Sequence, residues 1–326
     1  TIPSGTTYSW DAPTSSPSGV ITGGNSGSDE TTITESELLN STNSPAVLTY
    51  TVTPTTPDGC TGDPFTVSVT VNPLGQVDNP GDQEFCNNDN IIINFTTDNT
   101  GGSTTFEWTN TNSAIGLSNS GSGNINVTAT NTTNDPITST VTVTPSFEGC
   151  EGDSQTFTIT VNPSSQVDEV DSQILCNADE TTAISFSTEN TGGTTTYTWV
   201  NDTPSIGLAA TGSGDIASFA AVNNSTSPVT ATVVVTPSFE GCTGPEETFT
   251  ITVNPTAQVD DPQDQIICNG ETTSVEFTTE NTGGTTTYAW TNDTPSIGLA
   301  DLGTGNIASF AGVNEGTSPV VATLTV

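Results

Sequence analysis

The sequence contains no lysine, no arginine and no histidine, against 37 aspartates and glutamates in 326 residues. Average composition would supply dozens of basic side chains in a chain of this length, so chance does not explain their absence. The missing cations exclude several classes of chemistry. No arginine–carboxylate fork and no cation–π contact can form between side chains. There is no histidine base, no lysine for a Schiff base or a phosphate loop, and no arginine clamp. Nucleic acid is excluded as a partner, because phosphate neutralisation needs basic residues. Anionic membranes would repel the chain, and membrane insertion by this segment is not expected. Methionine is absent too, which removes sulfoxide chemistry. With no trypsin site and no methionine, the composition suits life outside the cell. Paired carboxylates of the glycosidase kind are the one catalytic option left. They need a cleft, and the organisation described next offers little concavity. The sequence therefore reads as that of a protein that is not an enzyme.

A net charge of −37 with only 30% hydrophobic residues falls in the range of disordered chains. The arrangement of the apolar residues argues against disorder. In Val229–Val235 the apolar side chains Val229, Ala231, Val233 and Val235 share one face, with threonine at most positions of the other. The same period of two runs through Phe249, Ile251 and Val253, through Tyr197 and Trp199, and through Ile184 and Phe186. Such alternation marks half-buried strands. Threonine on the outer face favours strand while staying soluble. No stretch sustains a helical period, and Gly, Pro and Asn interrupt every few residues.

A module recurs along the chain. Its landmarks are QVD, a cysteine, a tryptophan, TVTP, GC and TVNP. QVD begins at Gln76, Gln166 and Gln258, so successive copies are 90 and 92 residues apart. Six or seven short strands in such a length give an antiparallel sandwich of immunoglobulin type. The expected organisation is a partial repeat over 1–73, complete repeats over 74–163 and 164–255, and a partial repeat over 256–326. Both ends cut a repeat in its middle, which suggests a window on a longer chain. Only two residues separate TVNP from the next QVD, as at Leu74–Gly75, Ser164–Ser165 and Thr256–Ala257. Joints this short favour a stiff, end-to-end rod. The tryptophans Trp10, Trp108, Trp199 and Trp290 fall where a sandwich buries an aromatic against its opposite sheet, and they are assigned to the core.

The segments TTYAWTNDTPSIGLA, TGSGDIASFAA, TVTPSFEGC and TFTITVNP resemble the PKD-like and Ig-like repeats of giant Bacteroidetes cell-surface adhesins, the repetitive gliding-motility adhesins of flavobacteria in particular. The resemblance covers essentially the whole chain. It implies an extracellular, bacterial cell-surface location, export by the type IX route, and display as a filament for adhesion and gliding. Two copies depart from the pattern. The first has SWDAPTSSPSGVITGG in place of WTNDTPSIGLA, and the second has WTNTNSAIGLSNS. Any role of Asp202 and Asp293 is thus not shared by every repeat.

Cysteines occur at 60, 86, 150, 176, 242 and 268, two to each complete repeat. Even use in a chain of export type reads as disulfides. Zinc is disfavoured, because there is no histidine and no CxxC. The first expectation is bonding within repeats, Cys86–Cys150 and Cys176–Cys242, with Cys60 and Cys268 pairing outside the window. Strand polarity objects. In a sandwich of this kind the first cysteine and the hairpin-loop cysteine fall at opposite poles, whereas a disulfide needs Cα atoms within about 7 Å. A bond between neighbouring repeats, joining Cys86 to Cys242, or free buried thiols, are the alternatives.

Acids gather near the joints: Asp78 and Asp82; Asp168, Glu169 and Asp171; Asp260, Asp261 and Asp264. Hard oxygen ligands at a joint would suit Ca²⁺. The competing reading is a solvated acidic surface, and no EF-hand or RTX-type loop is present. No other cofactor is expected. The function expected is that of a stalk or filament segment of a long adhesin. Its partners are neighbouring repeats of its own chain and an external surface or polysaccharide. A carbohydrate-binding array is the alternative, predicting an exposed aromatic on every unit. A laterally assembling sheath is another, predicting apolar flanks.

Overall fold

In the computed structural model, which describes residues 2–35 and 37–326, the regular structure is β-strand apart from three single 3₁₀ turns. The chain divides into two compact units, residues 1–164 with 190–194, and residues 165–189 with 195–326.

In the first unit the clearest sandwich lies between Gln83 and Asn162. One sheet has six strands: the short Cys150–Glu151 pairs with Ile137–Phe147, and five follow the order Ser120–Ser122, Thr104–Asn110, Ile137–Phe147, Gln155–Asn162 and Gln83–Cys86. All neighbours are antiparallel except the last pair, where Val161 lies beside Phe85 and Asn162 beside Cys86 in parallel register. Asn90–Ile93 and Ile125–Thr128 pair as a small second sheet. The inward residues of both sheets meet in one core, with Ile91, Ile93, Phe95, Trp108, Val141, Val143, Phe157 and Ile159 all buried. Alternation decides which residues go inside, since successive side chains of a strand point to opposite faces.

The second unit repeats this plan. Thr211–Ser213, Thr195–Asn201, Val229–Phe239, Glu247–Asn254 and Gln173–Cys176 form its main sheet. Ala231, Val233, Val235, Phe249, Ile251 and Val253 are buried on one face, as their period of two requires. Ala183–Thr188 and Asp215–Val222 differ from expectation. They meet at one isolated bridge, Ile184 to Ile216, and through the Phe186 amide, which donates to the Asp215 side chain, rather than through a continuous ladder; a second isolated bridge joins Glu180 to Ala220. Ile184 and Phe186 still face the core. Packing holds this side of the sandwich where hydrogen bonding is sparse.

The long strands end in two-residue turns. Phe147 pairs with Cys150 across Glu148 (φ 48°) and Gly149 (φ 87°), and Phe239 pairs with Cys242 across Glu240 (φ 45°) and Gly241 (φ 85°). Two successive positive φ angles match the right-handed twist of a tight hairpin. Glycine supplies the second at no steric cost.

All four tryptophans are core residues, between 7% and 8% exposed. The indole N–H groups of Trp10, Trp108 and Trp199 donate to the carbonyls of Asn25, Gly123 and Gly214 at 2.9, 3.1 and 3.2 Å. Each ring lies against a glycine of the adjacent strand. A Cβ on Gly27, Gly121, Gly212 or Gly303 would fall 2.0–2.3 Å from the indole Cζ2. The GS and GT dipeptides that follow the tryptophan motif therefore leave space for the ring.

Candidate functional site at the joints between repeats

The residues that recur most strictly, other than the core, collect at the two poles of each repeat. At the incoming pole of the second repeat, Asn99 is 9% exposed and holds the linker. Its side-chain amide donates to the carbonyl of Leu74 at 3.1 Å, and its oxygen accepts from the amide of Gln76 at 2.7 Å. Asn281 does the same in the second unit, donating to Thr256 at 3.2 Å and accepting from Gln258 at 2.8 Å. The hairpin closes the other side of the linker. The amide of Gly75 donates to the carbonyl of Cys150 at 3.0 Å. A Cβ on Gly152 would lie 1.8 Å from the carbonyl oxygen of Gly75, and one on Gly244 would lie 1.9 Å from that of Ser165. Glycine at these positions lets the linker lie flat on the hairpin.

At the outgoing pole a second asparagine organises a loop. Asn40, Asn131 and Asn223 each donate at 2.7 Å to the last strand of their own repeat, at the carbonyls of Val71, Val161 and Val253. In the two complete repeats the loop is tied to the residue after the first cysteine. Asn87 accepts from the amide of Asn131, and Asn177 from that of Asn223, each at 2.8 Å.

These poles meet. Within the first unit the amide of Thr100 donates to the carbonyl of Asn43 at 2.8 Å, and Gln76 donates to the Asn43 side chain at 3.0 Å. In the same unit the amide of Thr191 donates to the carbonyl of Asn134 at 2.9 Å. Within the second unit Thr282 donates to Thr226 at 2.8 Å. A proline follows each acceptor loop, at Pro45, Pro136 and Pro228, and packs under the glycine of the opposing NTGG loop. The same backbone bond thus recurs in the same sequence context, which makes it a designed element of the repeat.

The acids expected near the joints accept hydrogen bonds from nearby hydroxyls and amides. Asp78, Asp168 and Asp260 accept from the hydroxyls of Thr96, Ser187 and Thr278 at 2.6, 2.5 and 2.7 Å. Asp82 accepts from the amide of Thr158 at 2.7 Å, which holds its carboxyl below the usual range. Asp171 and Asp264 lie on the exposed surface. Among the described residues no three acidic or cysteine side chains converge as metal ligands. Asp202 and Asp293 serve the sheet instead. They accept from the amides of Thr232 and Thr323 at 2.8 Å, and these amides, followed by the neighbouring threonine hydroxyls, lower both pKa values. In the second repeat Thr111 takes this place, its hydroxyl accepting from the amide of Thr140 at 2.9 Å.

The cysteines correct the first expectation. Cys86 and Cys242 are disulfide-bonded, whereas Cys60, Cys150, Cys176 and Cys268 are free thiols. The bonds Cys86–Cys150 and Cys176–Cys242 are therefore not formed. Register gives the reason. Cys86 lies level with Asn162, Ile137 with Val161, and Cys150 with Phe147. The two sulfurs are separated by the length of the strand Ile137–Phe147, on the order of 35 Å at ~3.3 Å per residue. A disulfide tolerates about 7 Å between Cα atoms. The third repeat has the same register, with Cys176 level with Asn254 and Cys242 with Phe239.

Strand pattern, sandwich and repeated poles together point to one domain type. Residues 2–75 and 83–165 match the PKD-like domain. Those two stretches are thus similar to the PKD-like domain, and the chain is a tandem of β-sandwich repeats. Among solved structures, the chain is similar to the fibronectin(III)-like modules of Clostridium thermocellum CbhA (12% identity, TM-score 0.28, 56% of this chain and 95% of that chain). It is also similar to mouse cadherin-23 EC22–24 (13% identity, TM-score 0.29, 77% and 86%) and to the chicken CNTN1 FN1–FN3 domains (11% identity, TM-score 0.27, 76% and 88%). No curated protein sequence matches it. No helix among the described residues is long and apolar enough to cross a membrane.

The asparagine clamps are the feature that sequence reasoning missed. The recurrent triplet NTG at Asn99, Asn190 and Asn281 was a usable signal, hidden in a chain rich in asparagine and threonine.

Proposed function

We propose that this chain is a stalk segment of a long extracellular adhesin on a bacterial surface, serving adhesion and gliding as a spacer rather than as an enzyme. The observation that carries the reading is the repeated joint. Thr100 to Asn43 and Thr282 to Thr226 bind loop to loop with one geometry, and Asn99 and Asn281 fix the linker beside each bond. A joint built for stiffness is what a spacer needs, while a chain of independent binders would tolerate free linkers. The uncompensated acidic surface supports the same role, because like charges keep neighbouring filaments apart. The burial of all four tryptophans disfavours the sugar-binding array, which needs an aromatic face in water.

Two measurements test the reading. Immunogold labelling of the repeats in the producing bacterium should place them outside the outer membrane, farther out as repeats are added. Glycan arrays probed with the 326-residue chain should stay blank. Specific sugar binding accompanied by a change in tryptophan or tyrosine fluorescence would replace the spacer reading with the binding array.

A further inference from the structure

The turn after the first cysteine follows one plan in three repeats, over Cys86–Asp89, Cys176–Asp179 and Cys268–Glu271. The acid that ends the turn accepts from the cysteine amide, Asp89 at 2.9 Å, Asp179 at 3.0 Å and Glu271 at 2.7 Å. The amide of the same acid donates back to the cysteine carbonyl at 3.0, 3.1 and 3.0 Å. The third residue of the turn has a positive φ, 72° at Asn88, 71° at Ala178 and 82° at Gly270. The second residue is asparagine in all three, and its side-chain oxygen ties down the outgoing loop. Asn87 and Asn177 accept from the amides of Asn131 and Asn223 at 2.8 Å, and Asn269 accepts from that of Asn314 at 2.9 Å. The turns differ in the residue after this asparagine. Only the last has glycine there, and Asn269–Gly270 is the one Asn-Gly pair in the sequence.

An asparagine followed by glycine can convert itself. The glycine amide nitrogen loses its proton to hydroxide and adds to the asparagine Cγ. The new N–Cγ bond closes a succinimide ring, the Cγ–Nδ2 bond breaks, and ammonia leaves with a proton from water. Water then opens the ring at either carbonyl, to aspartate or to isoaspartate. One water is consumed and one ammonia released, with no oxidation or reduction. A Cβ on the following residue crowds the attacking nitrogen, and glycine has none. We propose that Asn269 is a self-modification site, closed while the outgoing loop is docked and reactive when that loop lifts.

The gate is built from hydrogen bonds. The amide of Gly270 donates to the carbonyl of Gly312 at 2.8 Å, and the amide of Gly312 donates to the carbonyl of Glu271 at 2.8 Å. The attacking nitrogen and the Asn269 carboxamide are thus held by Gly312 and Asn314, two residues of one segment. Both holds must release before the ring closes, so conversion follows local opening of that segment. An isoaspartate then runs the main chain through the former side chain and adds a methylene between residues 269 and 270. The turn can no longer present the Gly270 amide to Gly312 and the Glu271 carboxylate to Cys268 together. The loop after Asn314, closed by its side-chain bond to the Ser318 carbonyl at 3.0 Å, loses its anchor for good. The like loops of the second and third repeats carry the joint acceptors Asn134 and Thr226. Conversion therefore loosens one outgoing pole and spares the other two. The inference stands apart from the adhesive reading and holds for any role of the chain.

The test ages the 326-residue chain at mildly alkaline pH and then cleaves it at acidic residues. Isoaspartate is counted with a protein-isoaspartate methyltransferase, and the converted peptide is located by mass spectrometry. Asn269 should convert at least an order of magnitude faster than Asn87 and Asn177. Gly270→Ala should bring conversion down to their level. That variant keeps the fold, because Ala178 holds the same turn with φ 71° and nothing lies within 4 Å of a Cβ on Gly270. In urea that unfolds the chain, Asn269 should convert severalfold faster than in the native state. Hydrogen exchange at Gly312 and Asn314 should quicken in the converted chain. Equal rates at the three asparagines, a Gly270→Ala variant that converts at the native rate, a native rate equal to the unfolded one, or unchanged exchange after conversion would each overturn the proposal.

Discussion

The amide of Thr100 donates to the carbonyl of Asn43 across the joint between the first and second repeats, at 2.8 Å. The bond lies one residue from Asn99, whose side chain holds both sides of the linker peptide. Asn99→Ala leaves the Leu74 carbonyl and the Gln76 amide without their partners. The expected cost is about 1–3 kcal/mol, the penalty of unsatisfied, partly buried backbone groups. Denaturant unfolding measures it, and faster hydrogen exchange at Gln76 should accompany it. Asn99→Asp keeps the acceptor for Gln76 and should recover part of the loss. An alanine variant as stable and as protected as the native chain would remove Asn99 from the joint.

The tryptophan pockets predict a steric effect. Gly121→Ala and Gly212→Ala place a methyl inside the indole ring of Trp108 or Trp199. Forced overpacking of this kind costs about 1–3 kcal/mol. Gly149→Ala serves as a control because nothing lies within 4 Å of its would-be Cβ, although its positive φ carries its own smaller strain. Thermal melts followed by tryptophan fluorescence compare the three.

The tryptophans also differ among themselves. Trp290 has its indole N–H buried without a partner, whereas Trp108 donates to Gly123. Trp108→Phe should therefore cost about 1 kcal/mol more than Trp290→Phe, the net worth of one hydrogen bond. Equal losses in equilibrium unfolding would show that packing alone sets the value of both rings.

Acid titration has a defined sign at Asp202. Its carboxyl is held below the ordinary range, first by the Thr232 amide and then by the Thr203 hydroxyl. A depressed carboxylate stabilises the fold above its unfolded pKa and loses that effect as pH falls through its folded value. The difference in melting temperature between the native chain and Asp202→Asn should be constant from pH 7 to about 5, then close below about pH 4. Salt at about 1 M keeps general charge repulsion out of the comparison. A difference that stays level down to pH 2 contradicts the assignment.

Substitution separates the cysteines by role. Cys86→Ser and Cys242→Ser should each lower stability by about 2–4 kcal/mol, and the addition of reductant should abolish the difference from the native chain. Cys150→Ser and Cys176→Ser change free thiols and should leave unfolding nearly unmoved. If Cys150 behaved like Cys86, the within-repeat bond would be restored as the better description.

Much of the fold was legible before any coordinates. Val229 to Val235 and Phe249 to Val253 alternate so regularly that only strands bury them. Each tryptophan falls where an immunoglobulin-type sandwich buries an aromatic against its opposite sheet. The polarity objection to the within-repeat disulfide was also readable, because a hairpin loop and a first strand fall at opposite poles of a sandwich. Other features resisted. Ile184 and Phe186 alternate as a strand would but form one bridge, since core packing satisfies them without a ladder. The clamps at Asn99 and Asn281 act through single hydrogen bonds, and composition alone gives an asparagine no direction. The hydroxyl partners of Asp78, Asp168 and Asp260 were also out of reach, because they lie 18 or 19 residues further along the chain.

The parallel pairing of Gln83–Cys86 with Gln155–Asn162 has a mechanical meaning. One strand carries the chain into the repeat and the other carries it out. Tension on the chain drags them past each other along their length, loading every rung of that ladder together in shear. An antiparallel pair at the same place would open one rung at a time. A repeat of this kind hauled by its two ends therefore meets its strongest resistance at the edge where it begins and finishes.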